Sequence, residues 1–389
     1  MYHIKKDEEH HVAREIPFFK PDIGNAEREQ IEQVLDLEGE TKIEDLENAF
    51  VKKTGATYAV STNSGTSALH LAMCAMDLKR GDKIICSVNS FPSVPEVVRH
   101  FDAEPIFVDI DSEDFNIDLD AFEKILEENK SKKLKGAIIN HVGGQPTDLA
   151  RLYEIAEKYG IRIVEDASDA LGGSYEGKPI GATGADITCF SFSPHMKHSI
   201  ANAGMLLCED DSLYERSILL RNHAIKSDGW DKYGNLEYMY DVVDIGCKYD
   251  ISILDAAYAL AQYSRVDKMI ARRQQIAKMY DEQLAGIKHV TLPVKKRDHI
   301  YQLYIVRIDR NRDGFARALK EKGVHTGLHY IPLHLMSYYK QKYNLRVNDF
   351  QQALQTYQQV LSLPIYHNMS DSDVEYVCNM VKEVAAEHI

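Results

Sequence analysis

The chain has 389 residues, 44% of them hydrophobic, and a formal net charge of −14 from 46 basic and 60 acidic side chains. That balance argues against nonspecific binding to nucleic acid or an anionic membrane and points to a small-molecule partner. No run approaches the ~20 apolar residues of a membrane span, and the polar start Met1-Tyr2-His3-Ile4-Lys5-Lys6 is unlike a secretory signal, so a cytoplasmic protein of two domains is expected.

The first 15 residues read as an extension. Apolar residues at helical spacing predict helices over 27–37 and 43–53. Residues 58–62 read as a strand, and Ser64-Gly65-Thr66-Ser67 as a small-residue turn that opens a helix. Apolar runs at 83–87, 105–109, 136–140 and 161–165, separated by helical segments at 92–101, 118–128 and 149–159, predict a mostly parallel sheet covered on both faces. Ligands of such sheets bind at the carboxyl ends of the strands. A long helix is expected from Ser252 to about Leu284, then strands over 299–308 and 324–330 flanking a helix over 314–322. A helical stretch closed by Pro364 follows, and a last helix over 371–388 capped by Ser370. The fold class is therefore α/β: a large domain over 16–255, then a linking helix and a smaller α+β domain over 256–389. The six scattered cysteines read as reduced, buried thiols.

Chemistry concentrates between residues 161 and 198. An apolar strand ends in Glu165-Asp166, and Lys197 follows within Ser193-Pro194-His195-Met196-Lys197-His198. A buried carboxylate needs a cationic partner, which a protonated pyridine nitrogen supplies, and an amine among other cationic groups has more of its unprotonated form. Together they suit pyridoxal phosphate, with Lys197 forming the Schiff base. A capping or loop role for Asp166 is the alternative. His195 and His198 lack a carboxylate or cysteine to complete a metal-ligand set, so no metal is expected. Ser64-Gly65-Thr66-Ser67 is either a helix cap or a phosphate cradle, and Phe91 either a core residue or a platform for a flat ring.

In order and spacing, several segments resemble the DegT/StrS sugar aminotransferases, fold-type I pyridoxal phosphate enzymes that act on nucleotide-linked keto sugars. They include Ser64-Gly65-Thr66-Ser67-Ala68-Leu69-His70, Gly144-Gln145-Pro146, Glu165-Asp166-Ala167, Cys189-Phe190-Ser191-Phe192 and Leu363-Pro364-Ile365-Tyr366. The resemblance implies that Gly65, Thr66, Ser67 and Ser191 hold the cofactor phosphate, Phe91 covers the ring and Asp166 meets the pyridine nitrogen. It implies a homodimer with the active site at the interface, glutamate as amino donor and pyridoxamine phosphate between the two half-reactions. Lys248 stands where the family's asparagine reaches the partner's phosphate. Asp169 replaces a glutamine and adds negative charge near the ring, and the glycine-rich segment after the lysine is reduced to Asn202-Ala203-Gly204. Without gaps, Met196 falls at the family's lysine; a one-residue shift restores Lys197. Taken at face value, Met196 would instead imply a pyridoxamine phosphate-dependent 3-dehydratase with His195 in acid–base work, and the departures together a non-catalytic binder. His329 and His334 are candidates for the site rim.

Overall fold

Alternating strands and helices build, in the computed structural model, one large sheet and a smaller one; residues 14–36, 39–192, 201–226 and 240–387 are described. In chain order, α1 (Asn25–Leu35) and α2 (Lys42–Thr54) precede β1 (Tyr58–Thr62). Then come α3 (Gly65–Ala75), β2 (Lys83–Ser87), α4 (Ser93–Arg99), β3 (Glu104–Val108), α5 (Leu119–Glu128), β4 (Leu134–Asn140), α6 (Leu149–Tyr159) and β5 (Arg162–Asp166). A hairpin of β6 (Ser174–Tyr175) and β7 (Lys178–Pro179) leads to β8 (Ile187–Ser191), β9 (Gly204–Cys208) and α7 (Asp211–Arg221). The pair β10 (Ile225–Lys226) and β11 (Asp241–Val242) precedes α8 (Ile253–Ser264) and α9 (Val266–Leu284). The remainder is β12 (Val290–Thr291), β13 (Tyr304–Ile308), α10 (Arg312–Glu321), α11 (Ser337–Lys342), α12 (Gln351–Gln359), β14 (Val360–Leu363) and α13 (Asp371–Glu387).

The large sheet has the order β1-β9-β8-β5-β4-β2-β3. From β8 to β3 all neighbours are parallel, and β9 runs antiparallel to both β8 and β1. Helices cover both faces, which is why Ile84, Ile85, Ile138 and Ile139 are all buried although successive side chains point to opposite sides. Register sets the site: Asn140 at the end of β4 pairs with Asp166 at the end of β5, and Ser191 at the end of β8 pairs with Gly204. The smaller sheet, β12-β13-β14, packs Tyr304, Val306, Leu361 and Leu363 with Phe315, Val374 and Val377 in a core of its own.

Five expectations change. The helix expected through residue 284 breaks at Arg265, whose guanidinium reaches Asp22 at 2.8 Å and Glu27 at 2.5 Å while Ser264 Oγ donates to the Ala261 carbonyl at 2.7 Å. That hydroxyl competes with the helix ladder. The strand expected over 299–308 forms only at Tyr304–Ile308, because the Ile300 and Leu303 amides donate to Gly144 and Gly143. Residues 324–330 make only isolated bridges, Val324 with Ile16 and Gly327 with Ser362. Pro364 closes a strand rather than a helix, since Val360 to Leu363 pair with β13. Among the cysteines, Cys74 and Cys247 are partly exposed rather than buried.

Candidate active site

Where the carboxyl ends of β4, β5 and β8 meet the start of α3 lies a cavity of about 270 Å³. Asn140, Asp166 and Ser191 line it from the strand ends, Gly65 and Thr66 from the first turn of α3, and Phe91 and Asp169 from the loops after β2 and β5. Five separate stretches of chain thus converge on one small volume, at the place parallel sheets reserve for ligands.

Ser64 caps α3, its Oγ accepting from the Ser67 amide at 3.1 Å. The Gly65 and Thr66 amides have no acceptor within the helix, and the aligned peptide dipoles favour an anion there. Position 65 requires glycine because a Cβ would stand 2.6 Å from Ser191 Cβ. Gly65→Val should therefore push the end of β8 away, costing about 1–3 kcal/mol in stability and weakening cofactor binding; thermal unfolding and a cofactor titration read both. The Ser67 hydroxyl is directed elsewhere: it donates to Asn63 Oδ1 at 2.6 Å and lies 2.8 Å from Ser64 Oγ, outside the cavity lining.

The acidic residues of this region have different tasks. Burial pushes the Asp166 carboxyl above its ordinary range and nearby Asp169 adds to the shift, while the Ser168 hydroxyl, at 2.5 Å, and amide, at 3.2 Å, oppose it. Among the described residues no lysine or arginine pairs with Asp166. The neighbouring Asp169 accepts from the Gly143 amide at 3.0 Å and the Tyr330 hydroxyl at 3.3 Å, so it holds both a loop and an aromatic residue at the cavity wall. Behind them Glu165 is fully buried. Burial opposes its ionisation, but His141 at 3.5 Å, the Tyr153 hydroxyl and Thr188 at 3.3 Å outweigh that and hold its pKa below the ordinary value. A depressed carboxyl contributes stability above its unfolded pKa and loses it as pH falls through the lower folded value. Glu165→Ala should cost about 2–4 kcal/mol at neutral pH, with a smaller deficit in acid; melting curves across pH test this.

Phe91 is 56% exposed and its ring stands 6.5 Å from that of Tyr330, edge to face, which places it at the cavity rather than in the core. Lys248 lies outside this cavity, paired with Asp250 at 2.8 Å. His334 is buried and its Nε2 donates to the Val347 carbonyl at 3.2 Å, while His329 Nδ1 meets Ser362 Oγ at 2.8 Å; neither lines the cavity. His195, Met196, Lys197 and His198 lie outside the described residues, but the flanks of their segment, Ser191 on one side and Asn202 and Ala203 on the other, line the cavity.

Asn140, His141, Ser168 and Tyr330 also line the cavity and were not singled out in the sequence. Asn140 was within reach, being the polar end of an apolar run like Asp166; Tyr330 comes from segment 329–334, where the sequence points to the neighbouring His329 and His334 instead. The lining suits a molecule cationic at one end and anionic at the other. Asp166 is buried and pairs with no lysine or arginine among the described residues, Asn140 Oδ1 is buried with no hydrogen-bond partner among them, and the start of α3 receives negative charge. Pyridoxal phosphate, with a pyridinium nitrogen and a phosphate, fits this donor and acceptor set.

Comparison with known proteins agrees. Residues 21–382 match the model of the DegT/DnrJ/EryC1/StrS aminotransferase family. The chain is 32% identical over 381 residues to the spore coat polysaccharide biosynthesis protein SpsC of Bacillus subtilis, covering 95% of this chain and 97% of that one. It is 33% identical over 384 residues to the protein MJ1066 of Methanocaldococcus jannaschii, covering 96% and 98%. Among solved structures, the pyridoxamine phosphate form of the putative sugar aminotransferase Spr1654 from Streptococcus pneumoniae superposes with a TM-score of 0.88 at 26% identity, covering 96% of this chain and 100% of that one. Sequence, fold and cavity lead to one conclusion: the chain belongs to the DegT/DnrJ/EryC1/StrS family of pyridoxal phosphate-dependent sugar aminotransferases.

Proposed function

We propose that the protein moves an amino group from glutamate to a keto group on a nucleotide-linked sugar, in the biosynthesis of deoxyamino sugars for surface polysaccharide. The observation that carries this reading is the pairing, across one cavity, of the buried Asp166 carboxylate with the anion-seeking start of α3. Bound there, pyridoxal phosphate supplies a carbonyl for the amine and a ring that accepts electrons. Asp166 holds the ring nitrogen protonated, Gly65, Thr66 and Ser191 seat the phosphate, and Phe91 covers the ring. Lys197 is the residue that takes and returns the proton at the donor's α-carbon, for which its amine must be unprotonated. The similarity to SpsC, a spore coat polysaccharide biosynthesis protein, supports a sugar substrate. The test is steady-state kinetics with glutamate and a nucleotide-linked keto sugar. Parallel lines in double-reciprocal plots and an amino sugar product are expected, and intersecting lines would count against two separate half-reactions.

A homodimer is part of this proposal. Lys248, with a 62% exposed side chain outside its own cavity, is available to a partner's phosphate, and Tyr240, Val242, Val243 and Ile245 nearby expose an apolar stretch that a second copy would cover. We place the enzyme in the cytoplasm; among the described residues no helix is long and apolar enough to cross a membrane. A second reading, dehydration of the sugar, is favoured by Met196 at the gapless position of the family's lysine. A sugar product that has lost oxygen and gained no nitrogen would select it.

A further inference from the structure

His70 and Cys74 lie one helical turn apart on α3 and share a face. Against that face the segment before α8 brings Cys247 and Tyr249. Its placement is set by backbone bonds: the Cys247 amide donates to Leu220 and its carbonyl accepts from His223, both at 2.8 Å, while the Tyr249 amide donates to Arg221 at 2.9 Å and its carbonyl accepts from Asn63 at 2.8 Å. Three heteroatoms then gather round His70 Nδ1: Cys74 Sγ at 3.6 Å, Cys247 Sγ at 4.0 Å and the Tyr249 hydroxyl at 3.2 Å.

One ring nitrogen offers a single proton or a single lone pair. It can serve one of these three neighbours, whereas a cation at their centre would serve all of them. Around a tetrahedral zinc with bonds of ~2.3 Å to sulfur and ~2.0 Å to nitrogen, sulfur and nitrogen stand about 3.5 Å apart and nitrogen and oxygen about 3.3 Å. The observed separations fall within about half an ångström of those edges. The histidine and cysteine donor atoms all lie within 4.8 Å of one another, the one such group of His, Cys, Asp or Glu among the described residues.

We propose that His70, Cys74 and Cys247 form a zinc site, with the Tyr249 hydroxyl at the fourth position. The nitrogen and sulfur donor set selects zinc over magnesium or calcium. Binding releases both thiol protons, leaving Zn²⁺ with two thiolates and a neutral imidazole, a combination without net charge. None of the four protein ligands lines the active-site cavity. The ion acts as a clamp, tying α3, whose first turn is part of that cavity, to the segment carrying Lys248.

Titration of reduced, metal-free, untagged full-length protein with Co²⁺ tests this, read by the thiolate-to-cobalt charge-transfer band and visible bands of a tetrahedral centre. Saturation at about one ion per chain is expected, displaced by Zn²⁺, abolished in Cys247→Ser and retained in Cys86→Ser, whose thiol is buried elsewhere. His70→Ala should lose more than the roughly 10- to 100-fold in affinity that a supporting group costs. Should Cys247→Ser fail to fold, alkylation of the native wild-type protein gives the same answer: Zn²⁺ should shield Cys74 and Cys247 together. Absence of a stoichiometric band, equal alkylation with and without Zn²⁺, or a Cys74–Cys247 disulfide with no metal bound after reduction would each overturn the site.

Discussion

Replacing Lys197 with alanine should lower amino transfer by about 10²- to 10⁴-fold, the range a positioned proton-transfer group supplies, while Met196→Ala should stay within a few-fold of wild type. The asymmetry follows from chemistry. Only an amine can bond covalently to the cofactor and carry a proton at the donor's α-carbon, and methionine has neither capacity. Both residues fall in sequence between β8 and β9 and outside the described residues, while the flanks of that segment, Ser191, Asn202 and Ala203, border the cavity. The pair of variants separates a catalytic lysine shifted by one position from a protein whose lysine function has been lost. An unchanged rate in Lys197→Ala would be the failure of that assignment. Added methylamine should partly restore Lys197→Ala, and a residue needed only for folding would show no such rescue.

Asp166→Asn should act on activity and on stability with opposite signs. On the proposed reading, the Asp166 carboxylate would face the cationic ring nitrogen of bound cofactor. Removing one partner of a buried charge pair costs about 3–5 kcal/mol, which corresponds to roughly 10²- to 10⁴-fold in rate. Without cofactor the same carboxylate is a buried anion whose pKa is pushed up by burial and by Asp169. A carboxyl with a raised folded pKa destabilises the fold progressively as pH rises above its unfolded value. The asparagine variant, whose Oδ1 can still accept from the Ser168 hydroxyl and amide, should therefore melt at a higher temperature than wild type when both are cofactor-free at neutral pH. It should gain less from added cofactor. An Asp166→Asn protein that melts lower than wild type in both states would show the residue to be a structural aspartate instead.

The parts of the fold that could be read from sequence are those whose cause is local. Residues 58–62 and 83–87 each carry three consecutive apolar residues between turns, and both form strands with those bounds. Helix α6 spans Leu149–Tyr159 as expected, and the structure adds its cap, the Asp148 carboxylate accepting from the Arg151 amide. Long-range partners decide the rest. Arg265 ends a helix because Asp22 and Glu27 lie far away in sequence, and residues 324–330 look like a strand yet are divided between Ile16 and Ser362. At the site, Asp166 was legible because a carboxylate at the end of an apolar strand is anomalous in itself. His141 and Tyr330 are ordinary residues until the sheet order brings β4 beside β5 and the distal loop over them. Cys74 and Cys247 likewise show no paired spacing, and only the bonds that hold Cys247 to the end of α7 bring the two thiols together.

Borohydride reduction of the purified enzyme loaded with pyridoxal phosphate, followed by peptide mass mapping across residues 190–205, tests the central claim most directly. The account predicts one pyridoxyl group, on Lys197. Cofactor that is bound but leaves no lysine in that segment modified would contradict it and assign the cavity to the dehydratase chemistry that Met196 suggests.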